Sequence, residues 1–294
     1  MTPNPKITLL VVAYNAESTL QQVLNRIPDS LIPQISCVLV CDDASTDATH
    51  DVVTKYQQSS KLPITIIKHP LNLGYGGNQK YGYTWAIENN MDFVVMLHGD
   101  GQYAPEELPN ILQPLVDDVA DVVLGSRMIA PVGALRGGMP LYKYVGNKIL
   151  TKYENAMTGA GLSEWHSGYR AYRVSTLQKL PMTAYSNGFD YDTQIILGLI
   201  DAGARIKEVP IPTYYGDEIC YVQGLKYARQ VSIGVVKHRL KSWGFFASRV
   251  TSPEYRFKHD EHSSHGKIKK IIENSRQGKL LDVGCAGGEI SEFA

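Results

Sequence analysis

Short apolar runs alternate with amphipathic stretches from Ile7 to Gly125. The runs predict strands over Ile7–Ala13, Cys37–Cys41, Ile64–Lys68, Phe93–Leu97 and Asp121–Gly125. The stretches between them predict helices over Ser18–Arg26, Ala48–Gln58, Asn78–Asn89 and Pro105–Val116. The runs are rich in Val, Ile and Leu and barely alternate, the pattern of a sheet covered on both faces. A β-α repeat of this kind implies an α/β fold with a mostly parallel, Rossmann-like sheet and right-handed crossovers. Such sheets bind ligands at the carboxyl ends of their strands. Polar residues gather at those ends: Tyr14-Asn15, Asp42-Asp43, Asn72, His98/Asp100/Gln102 and Ser126-Arg127.

Residues 130 to 215 are less regular. Leu141–Met157 and Asp190–Ala202 read as helices, Ser167–Arg173 as a short strand or loop, and Arg205–Tyr214 as an extended run whose Pro210 and Pro212 suit an edge strand. Leu225–Trp243 carries apolar residues at helical spacing and Lys226, Arg229, Lys237 and Lys241 on another face, with Phe245 and Phe246 following. It is either an interfacial helix making peripheral membrane contact through residues 225–246, or a helix packed on the preceding domain or a second subunit. After Ala247 the chain turns polar and His-rich like a linker, then a short helix (Lys267–Ser275) precedes KLLDVGCAGGEIS. The expected organisation is a domain over 1–220, a helical extension over 221–247, and a linker with an incomplete βα unit over 248–294.

Composition narrows the partners. Lys+Arg and Asp+Glu number 29 each in 294 residues, which argues against a nucleic-acid binder. Cys37 and Cys41 sit inside an apolar run and read as small core residues, not zinc ligands. The N-terminus lacks a signal-peptide pattern and no apolar run is long enough to span a bilayer. The expected setting is cytoplasmic, with peripheral attachment at the inner face of the membrane as an option.

The polar clusters suggest chemistry. In CDDASTD, Ser45, Thr46 and Asp47 read as caps for the next helix. Asp42 and Asp43 side by side are unfavourable unless something uses them, and a carboxylate there can accept from a base N–H or a sugar hydroxyl. The glycines of LNLGYGGN do not fit G-x-G-x-x-G and follow the third strand, so they imply a tight turn and close backbone approach at a ligand pocket. In LHGDGQ, Asp100 stands between Gly99 and Gly101. A hard divalent ion suits such oxygen ligands and leaves positions for phosphate oxygens. Gln102 can add a carbonyl oxygen. His98 either adds a neutral imidazole nitrogen, which suits Mn²⁺ somewhat better than Mg²⁺, or makes a structural hydrogen bond.

VVAYNAESTL, VLVCDDASTDAT, LNLGYGGN, LHGDGQYAPEEL, VLGSRM, SGYRAYR and GFDYDTQIILGLIDAGARIKEVPI occur in that order over residues 7 to 215. Together they resemble the inverting nucleotide-sugar glycosyltransferases of family 2, with the GT-A fold, nearest the dolichyl- or polyprenyl-phosphate sugar synthase branch. The resemblance implies a nucleotide-diphospho-sugar donor, Mn²⁺ or Mg²⁺, and a lipid-phosphate or glycan acceptor. It implies that Asp43, with Asp42 beside it, holds base and ribose, and that Tyr14 falls in the first nucleotide-pocket loop. His98 and Asp100 then end the D-x-D metal motif, with Gln102 near the metal and Arg127 near the donor phosphates. Glu164, Ser167, Gly168 and Arg170 lie where acceptor and phosphate contacts are built, and Asn72, Gly74 and Ser126 complete the expected substrate-binding set. Asp100, Arg127 and Glu164 are the expected catalytic residues, Glu164 as the base if the acceptor is a hydroxyl. Three positions depart from the family pattern: His98 for the first acid, Glu164 for a frequent Asp, and Asp217/Glu218 where a basic patch is usual.

KLLDVGCAGGEIS resembles the first motif of S-adenosylmethionine-dependent methyltransferases, but the sequence stops at Ala294 before later strands. A lone βα unit cannot bury its own face, so no methyltransferase activity and no S-adenosylmethionine binding are expected. The remaining alternatives are a non-catalytic nucleotide-sugar-binding protein and a remnant of a glycosyltransferase–methyltransferase fusion.

Overall fold

The computed structural model describes residues 5–129, 133–214 and 223–245. Expectations for the 248–294 tail, for Asp217/Glu218 and for Phe246 lie outside the described residues. The chain divides into two units, Met1–Arg239 and Leu240–Ala294. The first carries everything below except the last residues of the final helix, which ends at Ser242.

Strands β1 (Ile7–Ala13), β2 (Ile35–Asp42), β3 (Ile64–Lys68) and β4 (Phe93–His98) alternate with helices α1 (Leu20–Asn25), α2 (Thr49–Ser59) and α3 (Tyr75–Glu88). Then come α4 (Leu108–Val116), β5 (Val122–Ser126), α5 (Gly133–Arg136), α6 (Leu141–Thr158), β6 (Arg170–Arg173), α7 (Val174–Leu177), α8 (Tyr191–Asp201), β7 (Ile206–Pro210) and α9 (Gly224–Ser242). They form one seven-stranded sheet in the order β3-β2-β1-β4-β6-β5-β7. Every pairing is parallel except those of β6 with β4 and β5.

The apolar runs lack alternation because both faces are covered. Leu9, Val11 and Val95 pack with Leu20 and Leu24 of α1, Val53 of α2 and Leu108, Ile111 and Leu115 of α4. Leu10, Val12, Val94 and Met96 pack on the other face with Tyr83 of α3, Ile195, Ile196 and Leu199 of α8, and Val231 and Val235 of α9. Burying each such Val, Leu or Ile stabilises the fold by about 1.5–3 kcal/mol before entropy is counted.

The strand order reverses at β1, which has β2 on one side and β4 on the other. That switch point is where open α/β sheets leave a ligand crevice. The register pairs Ala13 with Asp42 and Val12 with His98, so the polar ends of β2 and β4 flank the end of β1.

Of the predicted boundaries that change, two bear on the site. Pro105–Glu107 forms a 3-10 turn, and the α-helix starts only at Leu108. The third helix starts at Tyr75, inside the glycine loop, because Gly74 caps it at φ +79. A Cβ on Gly74 would lie 2.7 Å from Asn187 O, and one on Gly76 would lie 2.6 Å from Tyr191 Cβ and 2.7 Å from Ser186 O. The close approach predicted for this loop is therefore to the protein's own 186–191 segment. Gly74 serves that packing.

Candidate active site

The loops after β1 and β2 are stitched together. The Asn15 amide donates to Ser45 Oγ (2.9 Å), the Thr46 amide to Asn15 Oδ1 (3.0 Å) and the Ala16 amide to Thr49 Oγ1 (2.7 Å). Ala44 is held at φ +59, a conformation that costs a non-glycine residue about 1–2 kcal/mol. The Tyr14 ring stands half-exposed beside these loops.

The two adjacent acids separate. Asp42 is fully buried and its Oδ1 accepts the Ser45 amide (2.8 Å). That bond caps the turn, while Oδ2 is buried with no hydrogen-bond partner among the described residues. Asp43 Oδ1 accepts the Leu73 amide (2.6 Å), and its backbone O accepts the Asn72 side-chain amide (3.0 Å). Asn72 Oδ1 in turn accepts the Gly74 amide (3.0 Å), so Asn72 ties the glycine loop to the end of β2. Burial pushes the Asp43 pKa up, against the Leu73 amide and His69, which pull it down. A carboxylate in that state gains from added hydrogen-bond donors.

At the end of β4, Asp100 Oδ1 accepts the Gln102 amide (3.0 Å), and Gly101 at φ +77 allows the turn. The Asp100 side chain keeps 46 % exposure, and its Oδ2 lies 4.0 Å from His98 Nδ1. Burial lowers the His98 pKa, outweighing Asp100 and Asp192, and so favours the neutral imidazole. Beyond it, Tyr75 Oη lies 3.2 Å from His98 Nε2 and donates to Asp192 Oδ2 (3.0 Å). Burial, then the Asp192 charge, raise the Tyr75 pKa well above that of a free phenol.

No group of three His, Cys, Asp or Glu among the described residues can hold a metal unaided. The donors brought together are one exposed carboxylate, Asp100, and one imidazole, His98, with Gln102 tied to Asp100 through its backbone amide. That set fits a divalent ion that completes its shell with ligand phosphate oxygens, as Mg²⁺ and Mn²⁺ commonly do.

Arg127 follows β5 and is almost wholly engaged by Glu164. The Arg127 backbone amide donates to Glu164 Oε2 (2.7 Å), Nε donates to Oε1 (2.9 Å), and Nη2 also donates to Oε1. Asn147 Nδ2 adds a fourth bond to Glu164 Oε1 (2.8 Å). Burial alone would raise the Glu164 pKa, yet Arg127 holds it below the usual range. Glu164 is 1 % exposed, so it anchors Arg127 and is not placed to act as the base expected from sequence. Ser126 Oγ lies 2.6 Å from Ser163 Oγ and accepts the Met128 amide (3.1 Å).

Arg170 is also corrected. It is fully buried and donates to Ser167 O (2.7 Å), Trp165 O (3.0 Å) and Asp192 O (2.8 Å). It braces the 165–170 loop and is not exposed to a phosphate. Ser167 is buried in the same loop.

Tyr75, Tyr103 and Asp192 were not expected. Tyr103 meets the His98 ring edge-on at 4.9 Å and 90°, and accepts the Gly168 amide at 2.7 Å. The only signal for them was position: Tyr75 lies in the glycine loop, Tyr103 directly follows Gln102, and Asp192 opens a helix in one of the resembling segments.

Residues 8–180 match the family described as Glycosyl transferase family 2. The polyprenol monophosphomannose synthase of Mycolicibacterium smegmatis is 29% identical over 71% of this chain and 77% of its own length. The undecaprenyl-phosphate mannosyltransferase of Micrococcus luteus is 30% identical over 70% of this chain and 82% of its own. A solved glucosyl-3-phosphoglycerate synthase from Mycobacterium tuberculosis, in complex with Mn²⁺, uridine diphosphate and phosphoglyceric acid, superposes with a TM-score of 0.62. That likeness covers 80% of this chain and 78% of the other at 17% identity, and shows the shared GT-A fold, a mostly parallel sheet flanked by helices. On the match over residues 8–180, the chain belongs to glycosyl transferase family 2.

Proposed function

We propose that the protein transfers a hexose from a nucleotide-diphospho-sugar to a polyprenyl phosphate, with inversion. Two relatives are named for polyprenol or undecaprenyl phosphate. The observation that carries the choice of acceptor is the commitment of Glu164 to Arg127 and Asn147. A hydroxyl acceptor needs a base to take its proton. A phosphate acceptor is already anionic and needs none.

In this reading a phosphate oxygen of the acceptor attacks the sugar's anomeric carbon. The bond to the β-phosphate breaks on the opposite face, and its electron pair leaves with the nucleoside diphosphate. Asp43 and Asn72 would hold base and ribose, with Tyr14 beside them. Asp100, His98 and Gln102 would hold Mn²⁺ or Mg²⁺, which supplies Lewis-acid stabilisation of the leaving diphosphate. Arg127, oriented by Glu164, adds positive charge where negative charge develops.

Among the described residues no helix is long and apolar enough to cross a membrane. Helix α9 packs inward through Val231 and Val235, as one reading of its pattern expected, and leaves Leu225, Ile233 and Val236 exposed. With Lys226, Arg229 and Lys237 on that helix, the outer face suits peripheral contact with an anionic bilayer that presents a lipid acceptor.

The test incubates the chain with labelled UDP- and GDP-hexoses, Mn²⁺ or Mg²⁺, and either undecaprenyl phosphate or a hydroxyl-terminated glycan. Label passing into the organic phase only with the lipid phosphate, in an inverted linkage, supports the proposal. Transfer to the glycan alone overturns the choice of acceptor.

A further inference from the structure

A chain of contacts runs from the Asp100 turn into the core. His98 Nδ1 lies 4.0 Å from Asp100 Oδ2, His98 Nε2 lies 3.2 Å from Tyr75 Oη, and Tyr75 Oη lies 3.0 Å from Asp192 Oδ2. Asp192 Oδ1 is 3.2 Å from Gln79 Nε2 and 3.5 Å from Arg170 Nη1. An ionised carboxylate only accepts, and a phenol has one proton. The Tyr75 proton therefore goes to Asp192, and Tyr75 Oη offers His98 only lone pairs. The partner of that oxygen must be an N–H, so the ring's hydrogen sits on Nε2, and a ring that ligates a cation does so through its other, bare nitrogen, Nδ1.

The packing around the ring is close. A Cβ on Gly168 would fall 2.6 Å from His98 Nε2 and 2.8 Å from Tyr75 Oη. Tyr103 holds the imidazole edge-on from another side, and Tyr75 is itself stacked on Phe189 at 5.0 Å. The bare nitrogen lies 4.0 Å from the exposed carboxylate of Asp100, so the two would hold a cation together.

We propose that Tyr75, held by Asp192, is a positioning residue that fixes the Nε2–H tautomer of His98 and so makes Nδ1 a nitrogen ligand to the cation held by Asp100. The inference rests on the reading above that Asp100 holds a divalent ion. It explains how a metal site works with an imidazole where an acid would be usual: the imidazole's second nitrogen is tied to a partner, as it is for most metal-bound histidines. It also makes the site more favourable to Mn²⁺ than one built from oxygen alone.

The test uses the full chain with Mn²⁺ and uridine diphosphate. Pulsed EPR reads ¹⁴N coupling from a directly bonded imidazole, and titration reads Mn²⁺ affinity in the nucleotide complex. The wild type shows ¹⁴N coupling, and His98→Asp keeps Mn²⁺ but loses the coupling. Tyr75→Phe weakens Mn²⁺ binding by about tenfold or more, while metal-free uridine diphosphate binds as before. In the His98→Asp background, Tyr75→Phe no longer changes Mn²⁺ affinity, because a carboxylate needs no tautomer partner. A merely structural Tyr75 would lower the melting temperature in both backgrounds and alter Mn²⁺ affinity equally in both. That equal effect, or a wild-type Mn²⁺ complex without ¹⁴N coupling, overturns the inference alone. Absence of nucleotide-dependent Mn²⁺ binding in the wild type overturns the underlying metal reading instead.

Discussion

Removing the Glu164 carboxylate tests what that residue does. Both members of the Arg127–Glu164 pair are buried, at 7% and 0% side-chain exposure. Glu164→Ala removes at once the carboxylate that the Arg127 guanidinium, the Arg127 backbone amide and the Asn147 amide all donate to, leaving the guanidinium its bond to the His166 carbonyl. Breaking a buried ion pair from one side costs about 3–5 kcal/mol. At roughly 2–4 °C per kcal/mol for a domain of this size, the melting temperature falls by about 6–20 °C. Glu164→Gln keeps one carbonyl acceptor and the shape, and loses about 1.5–3 kcal/mol from bonds to a charged group. An Arg127→Met/Glu164→Leu double variant recovers most of the stability, since apolar replacement of a buried pair is near neutral. The pH dependence has a definite sign. Because Arg127 holds the folded Glu164 pKa below its ordinary 4.5, the pair's contribution is present above 4.5 and is lost as pH falls through the lower folded value. Calorimetric melts of the four proteins across pH check these outcomes. Glu164→Gln with a wild-type melting temperature and a hundredfold lower turnover would refute the reasoning and make Glu164 a chemical base.

Asp43 has its pKa raised by burial, so its ionised, hydrogen-bond-accepting form fills in as pH rises through a value above the ordinary 3.8. Nucleotide affinity, measured by calorimetry, rises with pH across that window and then levels off, and Asp43→Asn abolishes this acid limb. A wild-type affinity that is flat on the acid side would remove Asp43 from the donor site. On the outer face of α9, Leu225→Glu with Arg229→Glu lowers co-flotation with anionic liposomes by several-fold and leaves the melting temperature within a few degrees, since Leu225 is 92% exposed. Equal flotation of variant and wild type would discard that face as a membrane contact.

Much of the scaffold was legible in the sequence for a simple reason. Buried parallel strands are continuous apolar runs, and β1 and β3 match their predicted bounds, Ile7–Ala13 and Ile64–Lys68. Polar residues directly after such runs, such as Asp43 and Asp100, are carried to the sheet edge by the strand itself. What the sequence hid depends on pairing at a distance. Glu164 looked like an available base because its partner Arg127 is 37 positions away. Tyr75 and Asp192, which hold His98, are 117 positions apart. The glycines of the Leu71–Asn78 loop looked like space for a ligand because nothing local reveals the 186–191 segment packed against them. Arg170 looked like a phosphate contact because its three carbonyl partners belong to its own folded loop and to α8.

The central claim is that Asp100 holds the divalent ion on which transfer depends. Asp100 is exposed, and among the described residues its side chain accepts the Gln102 amide and lies 4.0 Å from His98 Nδ1, so replacing it should not unfold the domain. The decisive measurement is therefore Asp100→Ala assayed for hexose transfer to undecaprenyl phosphate, with Mn²⁺-dependent nucleotide binding followed in parallel. The account predicts loss of both with an unchanged melting temperature. Near-wild-type turnover in that variant would contradict it.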